Sequence, residues 1–392
     1  MQSAKDVNNN GPSNIYIPLV FTFISIIALM TVRGALFNHE SGDYILFLEP
    51  WVNTYRSMTF FEGLGTKISN YNPPYMYILN IIAHISVSEL FWIKLVSVIF
   101  DLVIAFFVMK IVSLKTDSLN MHILAFLLAL AIPTVIINSS MWGQSDSIYT
   151  AFAVGSIYFG LSGRSKMTYV FMALAFSFKF QAGFLFPILP IFIFTKKIKL
   201  SDCYMFFVAY LAILLPAILA GMPLNDALFV YAQQATYYSK LNLNIVNLWQ
   251  FVGYGDYDSY VLAGLYMTGT AVLGLMYFTY VNRARLLSNV DFVRLAYLFA
   301  VIIPFMLPKM HDRYYFMADV LSLVLFLFDK RRWYIPVVTV LCSYIAYAYL
   351  LMFGIELIDY RIAALGLLFV IIIVLRDYVM SLYPGDDPKI HG

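Results

Sequence analysis

The side chain best placed for chemistry is Asp43, in the run Gly42-Asp43-Tyr44 just beyond the first long apolar segment. A carboxylate at the edge of an apolar cavity can act as general base on a hydroxyl nucleophile. Aspartate is also a good helix N-cap. If residues 43–62 are helical, Asp43, Phe47, Pro50/Trp51 and Thr54 share one side, with Glu49 and Arg56 elsewhere. Spacing leaves both readings of Asp43 open and keeps Glu40 and Glu49 as reserve acids.

Three more clusters carry candidate chemistry. Trp142-Gly143-Gln144-Ser145-Asp146 sets an amide and a carboxylate at the end of an apolar segment. Either Ser145 or Asp146 caps the following helix, or Gln144 and Asp146 bind sugar hydroxyls or orient a reacting group. Lys179 and Gln181 interrupt a long apolar run. A lysine at mid-membrane costs roughly 2.5–3.5 kcal/mol on insertion scales, so a polar residue there is a functional candidate by default. Asp101, inside another apolar segment, is the candidate counter-ion for Lys179. His311-Asp312-Arg313-Tyr314 is either a phosphate grip, with His311 and Arg313 as donors, or an interfacial anchor of aromatic and basic residues. The five histidines are scattered, with no H-x-x-x-H or C-x-x-C, so no metal site is expected. A cation shared by Asp43 and Asp146 is the weaker alternative. No glycine-rich nucleotide loop is present, and no cofactor is expected.

The elements that must position these residues are set by composition. The chain is 61% hydrophobic, 18% aromatic and only 12% charged, with a mean hydropathy of +0.78. Its net charge of +3 gives no reason to expect nucleic acid. Several apolar runs approach the 18 or so residues that the hydrocarbon core requires. The expected fold class is an all-α polytopic membrane protein. Its spans fall near 15–36, 91–112, 119–138, 146–162, 168–180, 181–195, 203–221, 259–281, 292–308, 314–329, 334–352 and 358–376, about twelve in all. Residues 1–14 are expected to be a disordered cytoplasmic tail, 15–376 one membrane domain, and 377–392 a second cytoplasmic tail. Splitting 168–195 in two removes Lys179 from mid-membrane.

With the N-terminus inside, most of the 25 Lys and Arg fall in short inner loops, as the positive-inside rule requires. The alternation survives only if Tyr75–Val87 does not cross. That short segment, started by Pro73-Pro74, reads as a helix at the outer interface or packed on the bundle. The first outer loop is then 37–90, and every cluster above faces the extracytoplasmic or lumenal side.

The order of these pieces resembles the GT-C superfamily of polytopic glycosyltransferases. Gly42-Asp43-Tyr44 stands where that family has its catalytic acid. Tyr71-Asn72-Pro73-Pro74 is similar to the Tyr-Pro-Pro of N-glycan pathway glucosyltransferases. Trp142-Gly143-Gln144-Ser145-Asp146, Phe178-Lys179-Phe180-Gln181 and His311-Asp312-Arg313-Tyr314-Tyr315 resemble segments of GPI-anchor-type mannosyltransferases and their bacterial relatives. The likeness covers about 37–320, and its motifs keep the family's order. One departure is Asn-Pro-Pro in place of the commoner Tyr-Pro-Pro. A single acid in the Gly-Asp-Tyr segment implies a metal-independent mechanism.

The resemblance implies an inverting hexosyltransferase, moving mannose, glucose or galactose from a polyprenyl-phosphate donor to an outer glycan or glycolipid acceptor. Asp43 would be the base. His311, Arg313 and Lys179 would hold the donor phosphate. Gln144, Asp146, Trp142, Gln181, Tyr71, Asn72 and Tyr314 would contact sugar or acceptor. Membrane lipids are the remaining partners. A transporter or flippase of lipid-linked sugars would share the spans and phosphate-binding groups without needing an acid at Asp43. A non-catalytic assembly subunit would need neither.

Overall fold

Every long apolar segment of the sequence is helical in the computed structural model, which describes residues 13–85, 88–235, 240–253, 255–285, 288–351 and 354–383. Helix α1 (Ser13–Leu36) leads into three short helices, α2 (Glu49–Arg56), α3 (Phe60–Gly65) and α4 (Pro73–Ala83). Then come α5 (Glu89–Ser113), α6 (Leu119–Ala131), α7 (Pro133–Ile136), α8 (Asp146–Leu161), α9 (Ser165–Phe178), α10 (Ile188–Phe194) and α11 (Tyr204–Leu219). Beyond the short α12 (Leu224–Leu228) and α13 (Val230–Ala235) lie α14 (Tyr257–Val281), α15 (Asn289–Met306), α16 (Phe316–Phe328), α17 (Tyr334–Leu351) and α18 (Tyr360–Leu382). The chain is an all-α polytopic membrane protein.

Among the described residues, 7 helices are long and apolar enough to cross a membrane. The count is up to 8 if Leu119–Ala131 and Pro133–Trp142, bent by 54°, form one span. The twelve expected crossings are therefore not reached by length, because α8, α9, 180–194 and α16 are shorter. Burial explains how short apolar helices persist. Every residue from Asp146 to Leu161 except Phe152 is buried, and α16 is nearly as enclosed. Helices α1, α11 and α14 instead expose most of their apolar side chains, as lipid-facing helices do.

Three local expectations can be compared with the chain. The helix after Asp43 stops at Arg56 and does not run to residue 62. Thr59 starts α3 with a capping box, its hydroxyl accepting from the Glu62 amide while the Glu62 carboxylate accepts from the Thr59 amide. Helix α4, at 11 residues, is not among the helices long enough to cross a membrane; it buries Tyr75, Leu79 and Ile82 in the common core. The run 168–195 breaks at Lys179, whose backbone is extended (φ −147°, ψ 140°) between α9 and a 3₁₀ turn. Of the two expected tails, residues 1–12 and 384–392 lie outside the described residues. The described parts are helical, since α1 starts at Ser13 and α18 continues to Leu382.

The basic loops gather at one end of the bundle. Lys115 donates to the Phe328 carbonyl, Lys197 Nζ to Asn289 Oδ1 at 3.1 Å, and Arg332 pairs with Asp377 at 2.6 Å. The loops carrying Asp43, Trp142–Asp146, Lys179 and His311–Tyr314 meet at the other end.

Candidate functional site

Two π-helical turns converge on Asp43. One follows it directly (Tyr44–Leu48), and the other (Ile137–Trp142) ends in Gly143. Such turns interrupt regular helices where a side chain must be re-aimed, often at functional sites. Gly143 closes the second turn with φ +76°, a left-handed conformation that a Cβ disfavours. The peptide then swings Trp142 and Gln144 towards Asp43 from either side of the glycine.

The Asp43 carboxylate caps no helix. The Tyr44 amide donates to Ser41 Oγ at 3.2 Å, and Asp43 makes no capping bond. Its Oδ2 accepts three hydrogen bonds: from Trp142 Nε1 (3.1 Å), Gln144 Nε2 (2.6 Å) and Arg313 Nη1 (2.9 Å). No described donor is bonded to Oδ1. The residue lines a cavity of ≈ 950 Å³ that Tyr71, Gln144, Lys179, Gln181, His311, Arg313 and Tyr314 also line. Eight of the eleven residues to which the resemblance gives roles therefore line one cavity.

The other three are buried behind it. Asp146 was expected to bind sugar hydroxyls, to orient a reacting group or to cap α8. It caps nothing and does not line the cavity; it is enclosed and holds its neighbours, Oδ1 accepting from Lys179 Nζ (2.7 Å) and Oδ2 from Asn138 Nδ2 (3.0 Å), with Arg313 Nε at 3.7 Å. Trp142 lies under the Arg313 guanidinium, 5.0 Å from ring centre to Cζ. Asn72, expected at the acceptor, donates to the Ser177 carbonyl (2.9 Å) near the end of α9. The counter-ion expected for Lys179 was Asp101. That is corrected: Asp101 pairs with Arg33 of α1 at 3.2 Å, and Asp146 serves Lys179.

Charges alternate through the site, in the order Asp43, Arg313, Asp146, Lys179. The group between the two carboxylates is the Arg313 guanidinium. Burial, with Arg313 and Lys179 nearby, pushes His311 down to about 3, so its imidazole is neutral. Burial pushes Asp312 up to about 7 against the pull of Arg313, which stays 3.8 Å away. Among the described residues Asp312 Oδ1 has no hydrogen-bond partner, consistent with a carboxyl that resists ionisation.

No family model matches the chain, and no curated protein is similar enough to it to be matched. What the site can do must come from its own geometry.

Sequence reasoning missed how residues 309–315 are held. Asn242–Leu243 pairs in parallel with Met310–His311, the two short strands β1 and β2. Lys309 and Asp312 amides donate to Leu241 and Leu243 carbonyls, and Tyr315 Oη donates to the Val246 carbonyl. Asn242 Nδ2 also donates to Asn247 Oδ1 at 2.7 Å, which stiffens the loop beneath the strand. The run Leu241-Asn-Leu-Asn-Ile-Val-Asn247 was the available signal, three amides set among aliphatic residues, of which Ile245 and Val246 are buried. Two further ties join loops near the cavity: Gln234, which lines it, donates to the Asn70 carbonyl, and Lys67 pairs with Asp226 at 2.7 Å.

Proposed function

We propose that this protein is an inverting glycosyltransferase. It moves a hexose from a polyprenyl-phosphate carrier to a hydroxyl of an extracytoplasmic glycan or glycolipid. The observation that carries this reading is the one-sided anchorage of Asp43. Three donors fix Oδ2, while among the described residues no donor is bonded to Oδ1, at the wall of a cavity large enough for a sugar. Oδ1 takes the proton of the acceptor hydroxyl as that oxygen attacks the anomeric carbon. The bond from that carbon to the phosphate oxygen breaks, and the lipid phosphate leaves with the electron pair. A placed general base is commonly worth about 10²–10⁴ in rate.

Arg313, Lys179 and His311 are the groups for the leaving phosphate. Arg313 and Lys179 supply positive charge beside the wall, and the neutral His311 ring lines the cavity next to them. Gln144, Gln181, Tyr71 and Tyr314 offer polar contacts to sugar or acceptor. Trp142, Asp146 and Asn72 act from behind, holding Asp43, Lys179 and the end of α9. Phe47, Phe180, Leu265 and Leu350 line the cavity and are also exposed, which suits a prenyl chain reaching in from the bilayer. In this reading the short helices α8, α9, 180–194 and α16 complete twelve crossings within the shelter of their neighbours. The cavity end is outside and the basic loops are cytoplasmic.

The test is transfer by the purified protein with polyprenyl-phosphate mannose, glucose and galactose, each offered with outer-surface glycolipids from the same cells. A glycosylated product with one of them is expected. Movement of the lipid across vesicles with no transfer from any donor would replace the reading with a flippase.

A further inference from the structure

One face of α5 carries polar side chains that an ordinary lipid-crossing helix would not keep: Lys94, Ser97 and Asp101, spaced three and four apart. All three are buried, and between them they grip two segments of the Asp43 site: Lys94 the chain at 36–39, Ser97 and Asp101 the turn at 139–147. Lys94 Nζ donates to the carbonyls of Leu36 (3.1 Å), Phe37 (2.9 Å) and His39 (2.6 Å). It thus satisfies carbonyl oxygens where α1 ends, and it fixes the strand of chain that reaches Asp43 four residues later. Ser97 Oγ donates to the Gln144 carbonyl at 2.7 Å, and the Gln144 side chain is the closest donor to Asp43. Asp101 accepts from Ser139 (2.6 Å), Ser147 and Arg33 (3.2 Å), which brackets the turn from Ser139 to Ser147 and ties α1 to it.

We propose that Lys94, Ser97 and Asp101 are positioning residues for Asp43. They hold its backbone and two of its three hydrogen-bond donors against one rigid helix. The geometry joins the two sides twice more: Ser41 Oγ donates to the Trp142 carbonyl (2.7 Å), and Glu89 of α5 accepts from Tyr44 Oη (3.2 Å). A buried ammonium is an expensive way to finish a helix, because its charge must be desolvated. Three carbonyls at one nitrogen give directional control that an apolar contact cannot. The value of this device rests on the reading of Asp43 as the base, since a base misplaced by about 1 Å can lose on the order of 10²-fold in rate.

The test uses the full-length protein in detergent, without any ligand, by hydrogen exchange. Lys94→Met should speed amide exchange in the peptide covering 37–45 at least tenfold and leave 139–147 nearly unchanged. Ser97→Ala should loosen 142–147 and spare 37–41. Lys94→Arg, which keeps a cation and donors, should restore part of the protection. Equal exchange in the Lys94→Met variant and the parent would overturn the proposal. So would loosening spread evenly over the protein, because that is what general destabilisation gives. Kinetics then separate this idea from the one beneath it. With the donor that supports transfer, Lys94→Met should lower kcat at least tenfold and leave KM for that donor within twofold. Selective loosening at 37–45 with kcat intact would leave the brace standing and remove Asp43 from the base role.

Discussion

Removing the Lys179 ammonium is the perturbation whose cost follows most directly from the geometry. Lys179 and Asp146 are 6% and 1% exposed, and their charged atoms are 2.7 Å apart. Breaking a buried ion pair by deleting one partner commonly costs about 3–5 kcal/mol, because the other charge is left uncompensated. Here Asp146 keeps Asn138 at 3.0 Å, and Arg313 stands 3.7 Å away. Arg313 can close part of that gap, so Lys179→Met should sit near the lower end, at about 3 kcal/mol. Asp146→Asn strands the cation instead, which among the described residues keeps the Tyr71 ring at 5.8 Å as an attractive neighbour. The double variant Lys179→Met/Asp146→Asn removes both charges. It should cost less than the sum of the singles, by a coupling of about 1.5–3 kcal/mol. Unfolding by sodium dodecyl sulfate in mixed micelles, followed by circular dichroism, measures all three. Additive effects, or a Lys179→Met protein within about 0.5 kcal/mol of the parent, would refute the pairing as an energetic unit.

Gly143→Ala forces a Cβ into the left-handed region at φ +76° and should cost about 1–2 kcal/mol in the same unfolding assay. Because Trp142 and Gln144 flank that residue, its transfer activity should fall more than its stability predicts. Asp312 gives a pH dependence of fixed sign. Its folded-state pKa is raised from 3.8 to about 7, so the stability it contributes is full below pH 4 and is lost as pH rises through 7. Asp312→Asn should therefore flatten the decline of stability between pH 4 and pH 7. A variant whose pH profile superimposes on the parent's would refute that origin.

Much of this was legible because membranes punish polarity. Lys179 and Gln181 inside an apolar run announced a break, and the backbone does break there. Pro73-Pro74 before a segment too short to cross announced α4. Asp43, Gln144, Lys179 and Arg313 could be singled out by type, and they share one wall. Partnerships could not be read, because they depend on which turn of one helix faces which turn of another. Asp101 and Asp146 were both plausible partners for Lys179, and only the packing of α5, α8 and α9 decides between them. The same limit hid Arg33, whose place at the end of a lipid-facing helix gave no hint of a buried acid 68 residues on. The strand pair at Asn242 and Met310 was hard to read for a different reason: the amide-rich run 241–247 hinted at it, but two paired residues are too few to show a period. The stripe Lys94, Ser97, Asp101 did carry a signal, since its spacing is helical and its polarity is out of keeping with α5.

The central claim is that Asp43 is the base of a sugar transfer from a lipid phosphate. Its most direct test is the single-turnover rate of Asp43→Asn against the parent, with saturating polyprenyl-phosphate hexose and acceptor. Asparagine keeps the shape and can still accept from Trp142 and Gln144, so the fold and donor affinity should survive. The rate should drop by about 10²–10⁴. A rate within a few-fold of the parent, in protein that binds donor normally, would contradict the account.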